Sequence, residues 1–162
     1  MGCNLRDLAN PHSISMSDLA GKKVGIDAFL VAFQFLATIR DRSPEGDGGP
    51  LRDKKGRPVS HLMGFLDRTT LLIEAGVEPI YIFDGKHPQL KEDTIKKRSA
   101  RRKEAEEKWK IALEEGDFKT AQKYAQQSLR YTPEMQADTK KMLDLLGVKW
   151  IDAAAEGEGQ AA

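Results

Sequence analysis

The sequence predicts an α/β fold with a mostly parallel sheet flanked by helices, and three observations carry that reading. Short apolar runs end in acidic residues at Val24-Gly25-Ile26-Asp27 and at Pro79 to Phe83 before Asp84. Two stretches of helical periodicity lie between those runs, and strand–helix–helix–strand order implies parallel pairing. A third apolar run, Val148 to Ile151, follows a further helix. With 162 residues, 40% of them apolar, the chain can bury one sizeable core, while 31% charged residues favour a soluble domain.

Each element has its own local cause. Val24 to Asp27 is too apolar for a surface strand and reads as buried. Ala28 to Ile39 carries Phe29, Leu30, Val31, Phe33, Phe35 and Leu36, so a helix here packs on more than one side. Asp41 to Pro58 gathers glycines and prolines among charges, which predicts a long mobile loop or a pair of exposed strands. Ser60 is expected to cap the next helix, whose positions Leu62, Phe65, Leu66, Thr69, Leu72 and Ile73 face the core, with Gly76 at its end. Pro79 to Phe83 is the second buried strand, with proline tolerated at its start.

From Gln89 to about Arg130 large apolar residues become scarce, so this segment is expected to stand off the core. Lys91 to Lys110 forms a charged helix, Gly116-Asp117 a break and a cap, and Phe118 to Leu129 a shorter helix. Thr132-Pro133-Glu134 is a helix start, with Met135, Thr139, Met142 and Leu146 on the buried side and Gly147 as the stop. Ala153 onward is expected to turn into another helix.

Formal net charge is only +1, so any affinity for nucleic acid depends on where the charges sit. Residues 86 to 110 hold ten Lys or Arg against five acids, whereas residues 133 to 162 hold six acids against three bases. The first segment attracts phosphate and the second attracts cations. The single cysteine, Cys3, excludes an internal disulfide and fits a reducing intracellular compartment. No apolar run is long enough for a membrane span. Met1-Gly2-Cys3 has the look of an acylation signal, but Arg6 stands where that signal needs Ser or Thr.

In parallel sheets ligands gather beyond the carboxyl ends of the strands. Asp27 and Asp84 both fall there, and Glu156 and Glu158 follow the third strand, so four carboxylates can share one rim. Hard divalent cations of the magnesium type take such oxygen ligands. An Asp after a strand also serves as a helix cap, and either Asp alone is open to that simpler reading. A haloacid-dehalogenase-type phosphatase would place a second Asp where Phe29 stands. On a helix, Lys91, Arg98 and Arg102 fall near one face with Arg101 at its edge, a phosphate clamp or a solvated charge run. The three histidines, His12, His61 and His87, show no zinc spacing.

At these residues the sequence resembles the N-terminal nuclease region of flap endonucleases, archaeal-like members of the structure-specific 5′-nuclease family. The resemblance rests on Met1-Gly2 with Leu5 to Leu8, Val24 to Ala28, Ser60-His61-Leu62-Met63-Gly64, Phe83 to Lys91, Lys97-Arg98 and Glu156-Gly157-Glu158. It implies a PIN-like nuclease core over residues 1–162, with a protruding helical gateway and cap at about 89–131 and a C-terminal half beyond this chain. It further implies Asp27, Asp84, Glu156 and Glu158 as metal ligands, and Lys91 and Arg98 as the catalytic basic pair at the scissile phosphate. Gly2, Phe33, Arg40, Arg68, Arg101 and Arg102 would contact DNA. The implied cofactor is Mg2+, two ions in the complete enzyme, with Mn2+ as a substitute. The implied partners are branched or flapped DNA and, through a tail beyond this chain, a sliding clamp. The implied setting is replication and repair inside the cell, in the cytoplasm or nucleoid of an archaeon or the nucleus of a eukaryote. Phe33 departs from the family's usual tyrosine, Ala154 and Ala155 from proline and serine, and Gly159 from alanine.

Overall fold

The computed structural model describes residues 12–85 and 92–154. A short 3-10 turn, Met16–Leu19, leads into strand β1, Lys23–Asp27, and helix α1, Ala28–Thr38. Helix α2, Ser60–Glu74, returns the chain to strand β2, Glu78–Phe83. Helices α3, Glu92–Glu114, α4, Phe118–Gln127, and α5, Pro133–Leu145, precede strand β3, Lys149–Asp152.

The three strands pair in parallel in the order β1-β2-β3, as the sequence predicts. Both connections advance in the same direction, and right-handed crossovers then put the connecting helices on one face. Accordingly α1 and α2 pack on β2, α5 packs on β3, and α2 touches both other helices. Tyr81, Phe65, Leu36 and Leu143 are fully buried in that layer. The Tyr81 ring meets Phe65 edge-on at 5.1 Å, and its hydroxyl shares a 2.8 Å hydrogen bond with that of Thr69. A buried phenol needs such a partner, because an unpaired one costs about 1–3 kcal/mol.

The glycine of the Ser60–Gly64 block has a packing cause. A Cβ on Gly64 would stand 2.2 Å from the Phe35 ring, so only glycine lets α1 and α2 approach this closely.

Several local expectations change in the tertiary setting. Ser60 does not cap α2: Val59 occupies the N-cap position, and the Ser60 hydroxyl instead accepts the Leu51 N–H at 2.7 Å. Leu66 and Ile73 of α2 are about half exposed, so its buried stripe is narrower than expected. In α5 the buried position is Leu143 rather than Leu146, which lies past the helix end as its C-cap and faces outward. Helix α4 stops at Gln127, where Ser128 takes the C-cap. The segment 41–58 is neither splayed nor paired along its length. Isolated antiparallel bridges, Arg40 with Pro50 and Arg52 with Pro58, fold it into two small loops, and Gly46, Gly48 and Gly49 are buried. The helix expected from Ala153 onward falls largely outside the described residues.

Helices α3 and α4 form a hairpin closed on itself through the buried alanines Ala105, Ala112, Ala121 and Ala125. Small residues allow close helix approach but bury little area, so the pair contributes little to the main core. A 23-residue helix is about 35 Å long. The hairpin therefore stands off the sheet, as the scarcity of large apolar residues predicts.

Candidate functional site

The register of the sheet brings two predicted carboxylates together. Asp27 pairs with Ile82, and Asp84 lies two residues further along the neighbouring strand direction. Neighbouring strands are about 4.8 Å apart and two residues advance the chain about 6.6 Å, so both carboxylates reach one rim. Both line a cleft of about 580 Å3 between the carboxyl ends of the strands, α1 and α3.

Asp27 does the simpler job as well. It is the N-cap of α1, and its Oδ1 accepts the Leu30 N–H at 2.9 Å. A cap engages one carboxylate oxygen and keeps the side chain fixed at the strand end, so capping and ligation are compatible. Gly85 fixes how closely the chain after β2 approaches the end of β3. A Cβ there would lie 2.0 Å from the Ala153 carbonyl oxygen, so the residue after Asp84 must be glycine for β2 and the end of β3 to stay this close.

The opposite wall is cationic. Arg98 and Arg102 of α3 line the cleft, joined by Arg130 from the connection into α5. Burial, and then the charges of Arg130 and Arg98, push the Arg102 guanidinium pKa down, as expected where cations cluster. Arg130 is tied to Glu106 of α3 at 3.1 Å, and Arg102 lies over the Phe33 ring with Cζ 5.1 Å from its centroid. Arg130 escapes a reading by helical face because it belongs to no helix. Its only signal in the sequence is its place just before the Thr132-Pro133 helix start, where the chain re-enters the sheet rim.

Phe29 and Tyr131 complete the cleft, packed edge-on at 5.5 Å. Burial raises the Tyr131 hydroxyl to about 12, although the Thr139 hydrogen bond opposes the shift, so Tyr131 stays protonated. It donates to Thr139 Oγ1 at 2.8 Å. Behind it, His61 is fully buried, 6.1 Å from the Tyr131 ring, and neither ring nitrogen has a hydrogen-bond partner among the described residues.

The cleft thus unites Asp27, Asp84, Arg98, Arg102 and Phe33. Arg101 is exposed on α3 and Arg68 is exposed on α2, and neither lines the cleft. Arg40 is turned to main-chain carbonyls, with Nε donating to Ala37 and Nη1 to Gly48 and Gln122. Gly2, Lys91, Glu156 and Glu158 lie outside the described residues. Among the described residues no three acidic, His or Cys side chains cluster as a metal site, and Asp27 and Asp84 are the predicted ligands that can be placed. Their hard oxygen donors fit a divalent cation of the magnesium type.

Residues 3–105 match the family model of the XPG N-terminal domain. The chain is 45% identical over all 162 residues to flap endonuclease 1 of Pyrococcus furiosus, covering 46% of that protein. It is 46% identical over the same length to that of Methanosarcina acetivorans, covering 47%. Among solved structures, flap endonuclease-1 from Methanococcus jannaschii aligns over 99% of this chain and 50% of its own, at 41% identity and a TM-score of 0.65. The catalytic core of Rad2, solved in complex with DNA substrate, aligns over 91% of this chain and 36% of its own, at 26% identity and a TM-score of 0.59. The chain therefore spans about half the length of the curated relatives it matches, and its fold is that of their PIN-like nuclease cores.

Proposed function

The chain belongs to the XPG N-terminal domain family, and from that premise we propose that the protein carrying it is a divalent-metal-dependent, structure-specific nuclease that cuts DNA at 5′ flaps. The observation that supports this most is the single cleft in which Asp27 and Asp84 face Arg98, Arg102 and Arg130. Carboxylates suit a cation and guanidinium groups suit a phosphodiester, so one cleft can hold both.

In this reading Asp27 and Asp84, with Glu156 and Glu158, hold Mg2+, for which Mn2+ can substitute. The bound cation supplies positive charge and Lewis acidity to the phosphodiester. Lys91 and Arg98 balance the charge that builds on the scissile phosphate, where preorganised donors act most strongly. Water adds to phosphorus, the P–O bond to the 3′ oxygen breaks, and the products are a 5′-phosphate and a 3′-hydroxyl. Arg102 and Arg130 hold neighbouring phosphates, Phe33 offers a face for a base, and Arg101, Arg68 and Gly2 extend the contact with DNA. The α3–α4 hairpin is the gateway for a single-stranded 5′ end. Replication and repair are the intracellular setting, with a sliding clamp engaged by the complete protein.

The 162-residue chain by itself is a weaker device in the same reading. It spans about half of its relatives, and the four carboxylates named here offset less of the cost of dehydrating two cations than a larger ligand set would. Nucleic-acid and metal binding with poor turnover is the expected behaviour of the isolated chain.

The test uses the protein at the length of its relatives, a labelled 5′-flap duplex and Mg2+. Cleavage at the branch is expected, abolished by chelation and lowered at least about a thousandfold by Asp84→Ala. Unchanged cleavage in Asp84→Ala would refute the ligand role, and a preference for RNA over flapped DNA would reassign the substrate to that of a PIN-type ribonuclease.

A further inference from the structure

The α3–α4 hairpin carries Arg98 and Arg102 over the cleft, yet among the described residues neither helix packs extensively on the helical layer or the sheet. Something else must set its position. Three of the hydrogen bonds that join it to the rest of the molecule converge on the loop between Arg40 and Pro50. Trp109 Nε1 of α3 donates to the Asp47 carbonyl at 2.7 Å. Gln122 Nε2 of α4 donates to the Ser43 carbonyl at 3.0 Å. Arg40 Nη1 donates to the Gln122 carbonyl at 3.2 Å and to that of Gly48 at 3.3 Å, while its Nε holds the Ala37 carbonyl at 2.9 Å.

From this geometry we infer that Arg40 is a positioning residue, the centre of a polar clasp that ties the end of α1, the loop and α4 together and so sets where the hairpin holds its arginines. One guanidinium reaches three carbonyls from three elements, which a planar fork of fixed donors can do and an ammonium on a flexible stem cannot. The loop is shaped for the contact. Gly48 has φ +70°, and a Cβ on it would stand 2.5 Å from Gln122 Cα, so the loop backbone lies directly against α4. The Arg40–Pro50 bridge and the Asp41 N–H to Gly49 carbonyl bond at 3.0 Å close the loop at its base. Residues 40 and 122 are far apart in sequence, so this contact registers the hairpin against the body of the fold. The clasp places Arg40 in the positioning of α3 rather than in direct contact with a DNA phosphate.

Two readouts test the clasp, and only the second rests on the proposed nuclease reading. The first is the emission and acrylamide quenching of Trp109, isolated by comparing each variant with and without Trp109→Phe, in the protein at the length of its relatives and without DNA. The second is single-turnover flap cleavage beside flap affinity. Arg40→Ala and Arg40→Lys are both expected to shift Trp109 emission to the red and expose it to quencher. Both are expected to slow cleavage about tenfold while affinity changes less than about twofold, the split produced by misplaced rather than missing phosphate contacts. Gly48→Ala changes no charge and is expected to give the same pattern, so it decides the matter should Arg40→Ala fail to fold. An unchanged Trp109 signal in Arg40→Lys and Gly48→Ala overturns the clasp, as does full recovery of cleavage in Arg40→Lys. Absence of flap cleavage by the unmodified protein would count against the nuclease reading alone, since the Trp109 signal still decides the clasp.

Discussion

The guanidinium of Arg102 lies over the ring of Phe33, its Cζ 5.1 Å from the ring centroid, so one helix of the core and one helix of the hairpin meet as cation on aromatic face at the wall of the cleft. Such a contact is worth about 0.5–2 kcal/mol. It holds Arg102 where its neighbours Arg98 and Arg130 oppose it by like charge.

Replacing Phe33 with Leu keeps apolar volume but removes the ring face. A loss of about tenfold in kcat/KM for flap cleavage is expected, the equivalent of about 1.4 kcal/mol. Phe33→Tyr keeps the ring and is expected to stay within about twofold of the unmodified protein. Equal losses in both variants would show that the ring face is not what matters.

Asp27 combines two jobs that substitution separates. Asp27→Asn retains a capping oxygen for the Leu30 N–H and is expected to keep thermal stability, while Mg2+ affinity measured by calorimetry falls at least about tenfold. Asp27→Ala is expected to lose the same affinity and a further 0.5–2 kcal/mol or so of stability, because the cap is gone. Retained Mg2+ affinity in Asp27→Asn would remove Asp27 from the ligand set.

Gly85→Ala tests the approach of β2 to the end of β3. The added methyl cannot fit beside the Ala153 carbonyl, and the chain must part there at a cost of about 1–3 kcal/mol. A fall in the urea midpoint is the measurement. An unchanged midpoint would mean that the backbone yields there without cost.

His61 predicts an acid-sensitive core. Burial lowers its pKa below the ordinary 6.5, with the Asp138 charge opposing, and among the described residues neither ring nitrogen has a hydrogen-bond partner. The unfolded chain therefore binds a proton more readily than the folded one. Stability from the neutral ring is fully present above about pH 6.5 and falls as the pH drops from there towards the folded pKa. The thermal midpoint should decline between pH 7 and pH 5, and His61→Phe should flatten that decline. An identical decline in His61→Phe would assign it to other groups.

Much of this site is legible in the sequence. Carboxylates at strand ends, the Thr132-Pro133 helix start and the Gly116-Asp117 break depend on residues within a turn of one another. Asp117 and Thr132 do cap their helices through the Thr120 and Met135 N–H groups. The Ser60 cap failed for an equally physical reason, since Leu51, nine residues away, offers that hydroxyl an N–H from outside the helix.

The sequence by itself therefore determined the parallel α/β order, the carboxylates at the strand ends and the basic character of the hairpin, because periodicity, capping and local charge are short-range properties. Only the tertiary structure decided which cations serve the cleft. It brought in Arg130 from outside any helix, left Arg101 facing outward one position from Arg102, and turned Arg40 to the carbonyl of Gln122, 82 residues away. A guanidinium satisfies whichever acceptors the fold brings within reach, and which ones those are is settled when distant segments meet.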